Sequence, residues 1–280
     1  MNHLETLLVW LTVVLEAVLC GFVFARKAQR TLPFFAAYAT TMLATTITVW
    51  FVYERFGFRS DTSYFCYWIL LPLNAGMRIL AIAELCRFKL RAYRGIWGLV
   101  WRVLGGISVL FFLHAAIDAW GQPNRLSIYS LTFDRDVDIA SVAILAALLL
   151  IHNYYGLSLE PLQRTIALGI CLVCVVDVIG ETIVGNLFTG YLLPFFATNP
   201  TSVGSAIIHF YARMNDLWTT IRLFSFTAGV GMWCYALRKP LPEPAAAPVL
   251  LPAEVYRELS PAINVRLNAF NNRLVELLKP

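Results

Sequence analysis

Charge is what this sequence has least of. Asp, Glu, Lys and Arg make up 14% of its 280 residues, against about 25% in soluble globular domains. So few charges cannot cover a water-facing surface, which excludes a soluble enzyme or soluble binding domain for the bulk of the chain. Long loops carry no cysteine: Cys20, Cys66, Cys86, Cys171, Cys174 and Cys234 all lie in or at the ends of apolar stretches. A disulfide framework therefore has nothing to build on. Lysine is missing from the apolar stretches, with Lys27, Lys89, Lys239 and Lys279 all outside them. No catalytic motif is present and no nucleophile–base pair can be named, so the reading leans away from an enzyme. The first five residues lack the positive segment that precedes a secretory signal, and the first apolar stretch is read as a retained helix.

What is there is apolar length. The chain is 59% hydrophobic, with a mean hydropathy of +0.67. A bilayer core needs about 20 apolar residues per helical crossing. Seven stretches qualify: 5–25, 33–53, 64–86, 96–116, 137–157, 165–188 and 206–237. Lipid cannot satisfy a free backbone, so they are expected to be helices. The expected fold is an all-α polytopic membrane protein, a bundle of seven transmembrane helices. Lys and Arg concentrate in the first loop (Arg26, Lys27, Arg30), the third (Arg87, Lys89, Arg91, Arg94) and the start of the tail (Arg238, Lys239). The positive-inside rule then puts the N-terminus outside and the C-terminus in the cytoplasm. The net charge of +5 follows this pattern and is not a nucleic-acid signal. The expected location is the cell (inner) membrane. The fourth loop, Asp118 to Asp136, is expected to be long, polar and external. The sixth, Thr189 to Gly204, is uncharged and aromatic. No inverted repeat is visible, which weighs against a repeat-built transporter.

Ionisable side chains inside the spans carry the functional reading, because each costs about 2.5–3.5 kcal/mol at mid-membrane and wants a partner or water. Asp177 and Glu181 are four apart on the sixth span and share a face. Arg222 of the last span falls at the level of Glu181 when depth is counted at about 1.5 Å per residue. Arg222 is expected to pair with Asp177 or Glu181, as a structural lock or as a ligand or proton site. A second polar cluster is expected from Glu16, Asn74 and Arg78, near Pro72 and Gly76. His209, Arg213, Asp216 and Thr220 recur at helical spacing and form an outer polar stripe. Glu84 and Arg102 could pair near the cytoplasmic ends or snorkel. Thr41, Thr45 and Thr48 line one face of the second span, a pattern of interhelical hydrogen bonding.

His3, His114 and His209 all fall toward the outer side, with Asp118 a turn beyond His114. They are weak candidates for a metal or a haem, and no cofactor is expected. Cys171 and Cys174 have redox-pair spacing but lie within an apolar span, so buried thiols are the expectation. Seven spans invite comparison with retinal proteins and rhodopsin-like receptors. Retinal would need a lysine in the last span, and such a receptor would link Cys66 to a cysteine in the fourth loop; neither residue exists.

The chain divides into residues 1–239, the transmembrane domain; 240–252, a Pro/Ala-rich linker; and 253–280, a cytoplasmic amphipathic helix. The linker is a stiff, extended spacer. Ile263, Leu267, Phe270, Leu274 and Leu277 give residues 261–278 an apolar stripe suited to a cytoplasmic protein partner or to homodimerisation. The leading expectation is a sensory or regulatory module that passes a signal from the outer side to this tail. A small-solute or proton-coupled transporter and a haem- or metal-binding redox subunit are the alternatives.

Overall fold

The computed structural model describes residues 3–58, 60–90, 94–155, 160–182 and 202–238, together with Ala269 and Arg273. The described residues form helices and no strand: α1 (His3–Ala25), the single turn α2 (Ala28–Thr31), α3 (Pro33–Phe56), α4 (Asp61–Leu90), α5 (Arg94–Asp118), α6 (Arg125–Tyr155), α7 (Pro161–Gly180) and α8 (Ser202–Leu237). The linker and the tail helix otherwise lie outside the described residues. So do 183–188 of the sixth expected span and most of the sixth loop.

Local chemistry sets several of these boundaries. Lys27 takes up a left-handed conformation at φ 55° and turns the chain between α1 and α2. Pro33 and Pro161 open α3 and α7, where a missing N–H costs nothing. Glu84 of α4 accepts a hydrogen bond from the Phe35 N–H at 2.9 Å, placing a carboxylate at the positive end of α3. Glu84 is thus a helix cap rather than a partner of Arg102 or a snorkelling side chain. Thr48 bonds back to its own helix at Ala44, so it contributes nothing across helices.

Five helical segments are long and apolar enough to cross a membrane: Thr6–Ala25, Pro33–Phe56, Asp61–Phe88, Gly98–Asp118 and Pro161–Gly180. This marks the chain as an integral membrane protein. The other two long helices, α6 and α8, carry charges within their length, among them Asp134, Asp136, Asp138 and Arg222.

The expected external loop from Asp118 to Asp136 is corrected by the structure. Helix α5 ends at Asp118, and α6 already begins at Arg125, twelve residues before the expected start at 137. Polar side chains hold this early part of α6 against its neighbours. Ser130 donates to the Trp68 carbonyl at 2.5 Å, and Thr132 donates to Asp118 at 2.6 Å. An average of polarity over the segment conceals one packed face.

The helices close into a ring. Neighbours run α1–α3–α4–α6–α7–α8 and back to α1, while α5 lies outside the ring against α6 and, more lightly, α4. The main core gathers at one end, where Leu19 and Val23 of α1 meet Phe35 of α3, Leu85 of α4, Ile166 and Ile170 of α7 and Trp233 of α8. Trp233 is its centre. Its ring stands edge-on to Phe35 and Tyr38, and its indole N–H donates to the Ile166 carbonyl at 3.2 Å. This end also carries Arg26, which donates to the Arg238 carbonyl at 2.9 Å. One end of the ring is therefore closed by apolar side chains.

Candidate functional site: a buried carboxylate–arginine network

Above that plug, the ring interior is charged. Arg78 of α4 is 7% exposed. One of its terminal nitrogens lies 2.8 Å from Asp134 Oδ1 and 2.8 Å from Asp138 Oδ1, both on α6. Asp134 and Asp138 are four residues apart, so α6 presents them on one face, a turn apart in height. Asp138 has no exposed surface and Asp134 is 5% exposed. The Cys174 side chain of α7 reaches the Asp138 carboxylate. Tyr38 of α3 interacts electrostatically with the same cluster.

A second pair lies on the adjoining helices. Arg222 Nε of α8 is 2.8 Å from Asp177 Oδ1 of α7, the first of the two pairings the sequence predicts. Glu181, one turn further along α7, feels both Asp177 and Arg222. The two pairs form one network, since Asp177 interacts with Arg78 and Asp134 as well as with Arg222. Arg222 interacts with Tyr67 of α4, Asp134 of α6 and Asp177 of α7. Among the described residues its one ion pair is to Asp177, and 44% of its side chain is accessible. The end of the ring at Trp233 is closed by packed apolar side chains, whereas Arg222 keeps part of its side chain accessible.

Charge balance decides what this network can do. Asp134, Asp138 and Asp177 are all buried and face two guanidinium groups, Arg78 and Arg222. At the rim, Glu181 feels Arg135, which itself lies 3.9 Å from Asp136. One buried carboxylate is left in excess. Like charges this close do not all stay ionised in a low-dielectric site without a proton or a cation. Arg78 Nε has no hydrogen-bond partner among the described residues, so the network also keeps donor capacity in reserve.

Segment 132–138 of α6 works on two sides. Asp134 and Asp138 face α4. Asp136 Oδ2 turns to α5, where it lies 2.5 Å from His114 Nδ1. Thr132 makes the parallel contact to Asp118. His114 is thus held by a carboxylate of the neighbouring helix. The side chains of His3 and His209 lie outside the described ones, and no group of metal-ligating residues occurs among those described.

The residues of the second expected cluster have separate surroundings among the described residues. Arg78 turns to α6, and among the described residues no ion pair joins it to Glu16. Glu16 is 1% exposed and bonds Thr46 of α3. Asn74 Oδ1 has no hydrogen-bond partner among the described residues. The reason is angular: counting depth places residues at a level but leaves their direction free, and Arg78 faces the side of α4 that packs on α6. Arg213 and Asp216 of the outer stripe are exposed. The thiols of Cys171 and Cys174 are free, and Cys174 is fully buried.

Sequence reasoning missed Asp134 and Asp138. The signal was present as two aspartates four residues apart, the same spacing as Asp177 and Glu181. Compared with known protein families, curated proteins and solved structures, the chain matches none.

Proposed function

We propose that the chain is a seven-span protein of the cell membrane, N-terminus outside and C-terminus cytoplasmic, that works as a sensory or regulatory module. In this reading the charged ring interior takes up the stimulus from the outer side. The α8 helix passes the response to the amphipathic tail at 261–278, which acts on a cytoplasmic partner or a second copy. Two features support counting α6 and α8 as spans. Both are members of the ring formed with the apolar helices, and Asp134, Asp138 and Arg222 are paired with charges on neighbouring helices of that ring. The observation that carries the reading is the placement of Arg222. It is paired to Asp177 while partly accessible, and it sits on the helix that runs to Leu237, at the start of the tail. A change in its pairing is a change in that helix.

The test is crosslinking of the full chain in membranes, beside a version lacking residues 249–280 and the variants Asp177→Asn and Arg222→Gln. A partner or self-contact that vanishes without the tail, and changes in yield in the two variants, is the expected result. A chain that captures nothing with the tail intact would remove the basis of this proposal.

A second reading is a proton-coupled carrier of a small solute, favoured by the carboxylate excess at Asp134, Asp138 and Asp177. Uptake into vesicles with and without a pH gradient separates the two. Gradient-driven flux lost in Asp138→Asn and Asp177→Asn would favour the carrier.

A further inference from the structure

A different group, outside the arginine network, carries its own argument. Glu16 lies 13 residues into α1 from His3, about 20 Å along the helix at 1.5 Å per residue. It is almost fully buried, at 1% exposure. One hydroxyl interacts with it, and others lie nearby along the same helices. Thr46 of α3 hydrogen-bonds the carboxyl. One turn back along α1, Thr12 Oγ1 lies 2.6 Å from Thr227 Oγ1 of α8. Thr45 Oγ1, adjacent in sequence to Thr46, and Glu16 Oε2 itself are buried without a hydrogen-bond partner among the described residues.

Among the described residues, the other titratable groups linked to it are thiols. Cys20, one turn on along α1, feels Glu16, and Cys234 of α8 lies beyond Cys20, its thiol directed at the Leu15 carbonyl at 3.5 Å. Thiols are weak acids and supply no counter-ion. From α3 the group meets the Thr46 hydroxyl. No Arg, Lys or His forms an ion pair with Glu16 among the described residues. Here Glu16 differs from Asp138 and Asp177, each of which has a guanidinium at 2.8 Å.

A carboxylate sealed in this way without a cation is strongly unfavourable. The protonated form needs only an acceptor for its O–H, and threonine hydroxyls both accept and donate. We propose that Glu16 is a proton-binding site between α1, α3 and α8, independent of the Arg78 and Arg222 network. Taking up the proton forms one O–H bond on the carboxylate. Releasing it leaves a charge at the α1–α8 contact, which then has to admit water or a cation. This inference does not depend on the sensory reading.

The experiment is infrared difference spectroscopy of the full-length protein in lipid bilayers, titrated in pH with choline as the only added cation. The expected signature is a protonated-carboxyl carbonyl band that is lost in Glu16→Gln, displaced in Glu16→Asp and retained in Asp138→Asn and Asp177→Asn. A band indifferent to Glu16→Gln overturns the assignment. Should that variant fail to fold, carbon-13 glutamate in the unmodified chain replaces it. The band then has to shift with the label and persist in Glu181→Gln, and failing either requirement overturns the proposal. Sodium in place of choline at constant pH must leave the band in place. Loss of the band on sodium addition would make this a metal-cation site and overturn the proton assignment.

Discussion

Arg78 is the side chain on which most of the buried charge depends. It faces two aspartates of α6 from a position 7% exposed. Removing one member of a buried ion pair leaves an uncompensated charge and costs about 3–5 kcal/mol, whereas replacing both partners by apolar groups is far milder. Arg78→Met alone is therefore expected to lower the unfolding midpoint in detergent strongly. Arg78→Met combined with Asp138→Leu is expected to recover much of the loss, because Asp134 is then the single carboxylate left without its cation. A double variant no more stable than the single one would count against the pairing. At this scale the sequence was partly legible. The Asp177–Arg222 contact was readable, since both residues sit in apolar runs whose ends fix their depth. Asp134 and Asp138 were not, because the polar residues around them disguise the start of a helix.

Helix contacts depend on side chains too small to show in any hydropathy profile. A Cβ added at Gly169 of α7 would collide with the Trp233 indole of α8. One at Gly229 of α8 would lie 3.0 Å from Val173 Cγ2 and 3.3 Å from the Gly169 carbonyl oxygen. The two helices approach backbone to backbone, the usual use of small residues between membrane helices. Gly169→Val is expected to displace Trp233 from its contacts with Phe35, Tyr38 and the Ile166 carbonyl. Overpacking of this kind costs about 1–3 kcal/mol. Tryptophan fluorescence and thermal unfolding of the variant check it, and an unchanged emission spectrum would contradict the close approach. The spans of α1, α3, α4 and α5 were legible to within a few residues, because the apolar run and the helix coincide. The start of α6 was not, because its stability comes from contacts to Trp68 and Asp118 on other helices.

At the scale of the whole molecule, the described residues form a ring of six helices with α5 outside it. Val109, Leu110 and Leu113 of α5 are all at least half exposed. Their replacement by alanine, one at a time, is expected to shift stability by no more than about 0.5 kcal/mol, as for substitutions away from packed features. Equivalent truncation of Phe35 or Trp233, at the closed end of the ring, is expected to cost about 3–5 kcal/mol. The same thermal-unfolding series separates the two sets. Topology is tested with a membrane-impermeant thiol reagent on a cysteine-free background. Gln122→Cys is expected to label from outside intact cells, and Lys27→Cys only after permeabilisation. The reverse pattern would invert the proposed orientation.

By itself the sequence determined the solvent of this protein, because too few charges and long apolar runs leave lipid as the only workable surroundings. It also placed Arg222 at the depth of Glu181 and left Asp177 and Glu181 as its two possible partners. Only the tertiary structure decided which way Arg78 turns, that Asp134 and Asp138 meet it, and that Glu16 is left among hydroxyls. Depth along a helix is a count of residues. Direction around its axis is set by the neighbours it packs against, and those are fixed only when the ring closes.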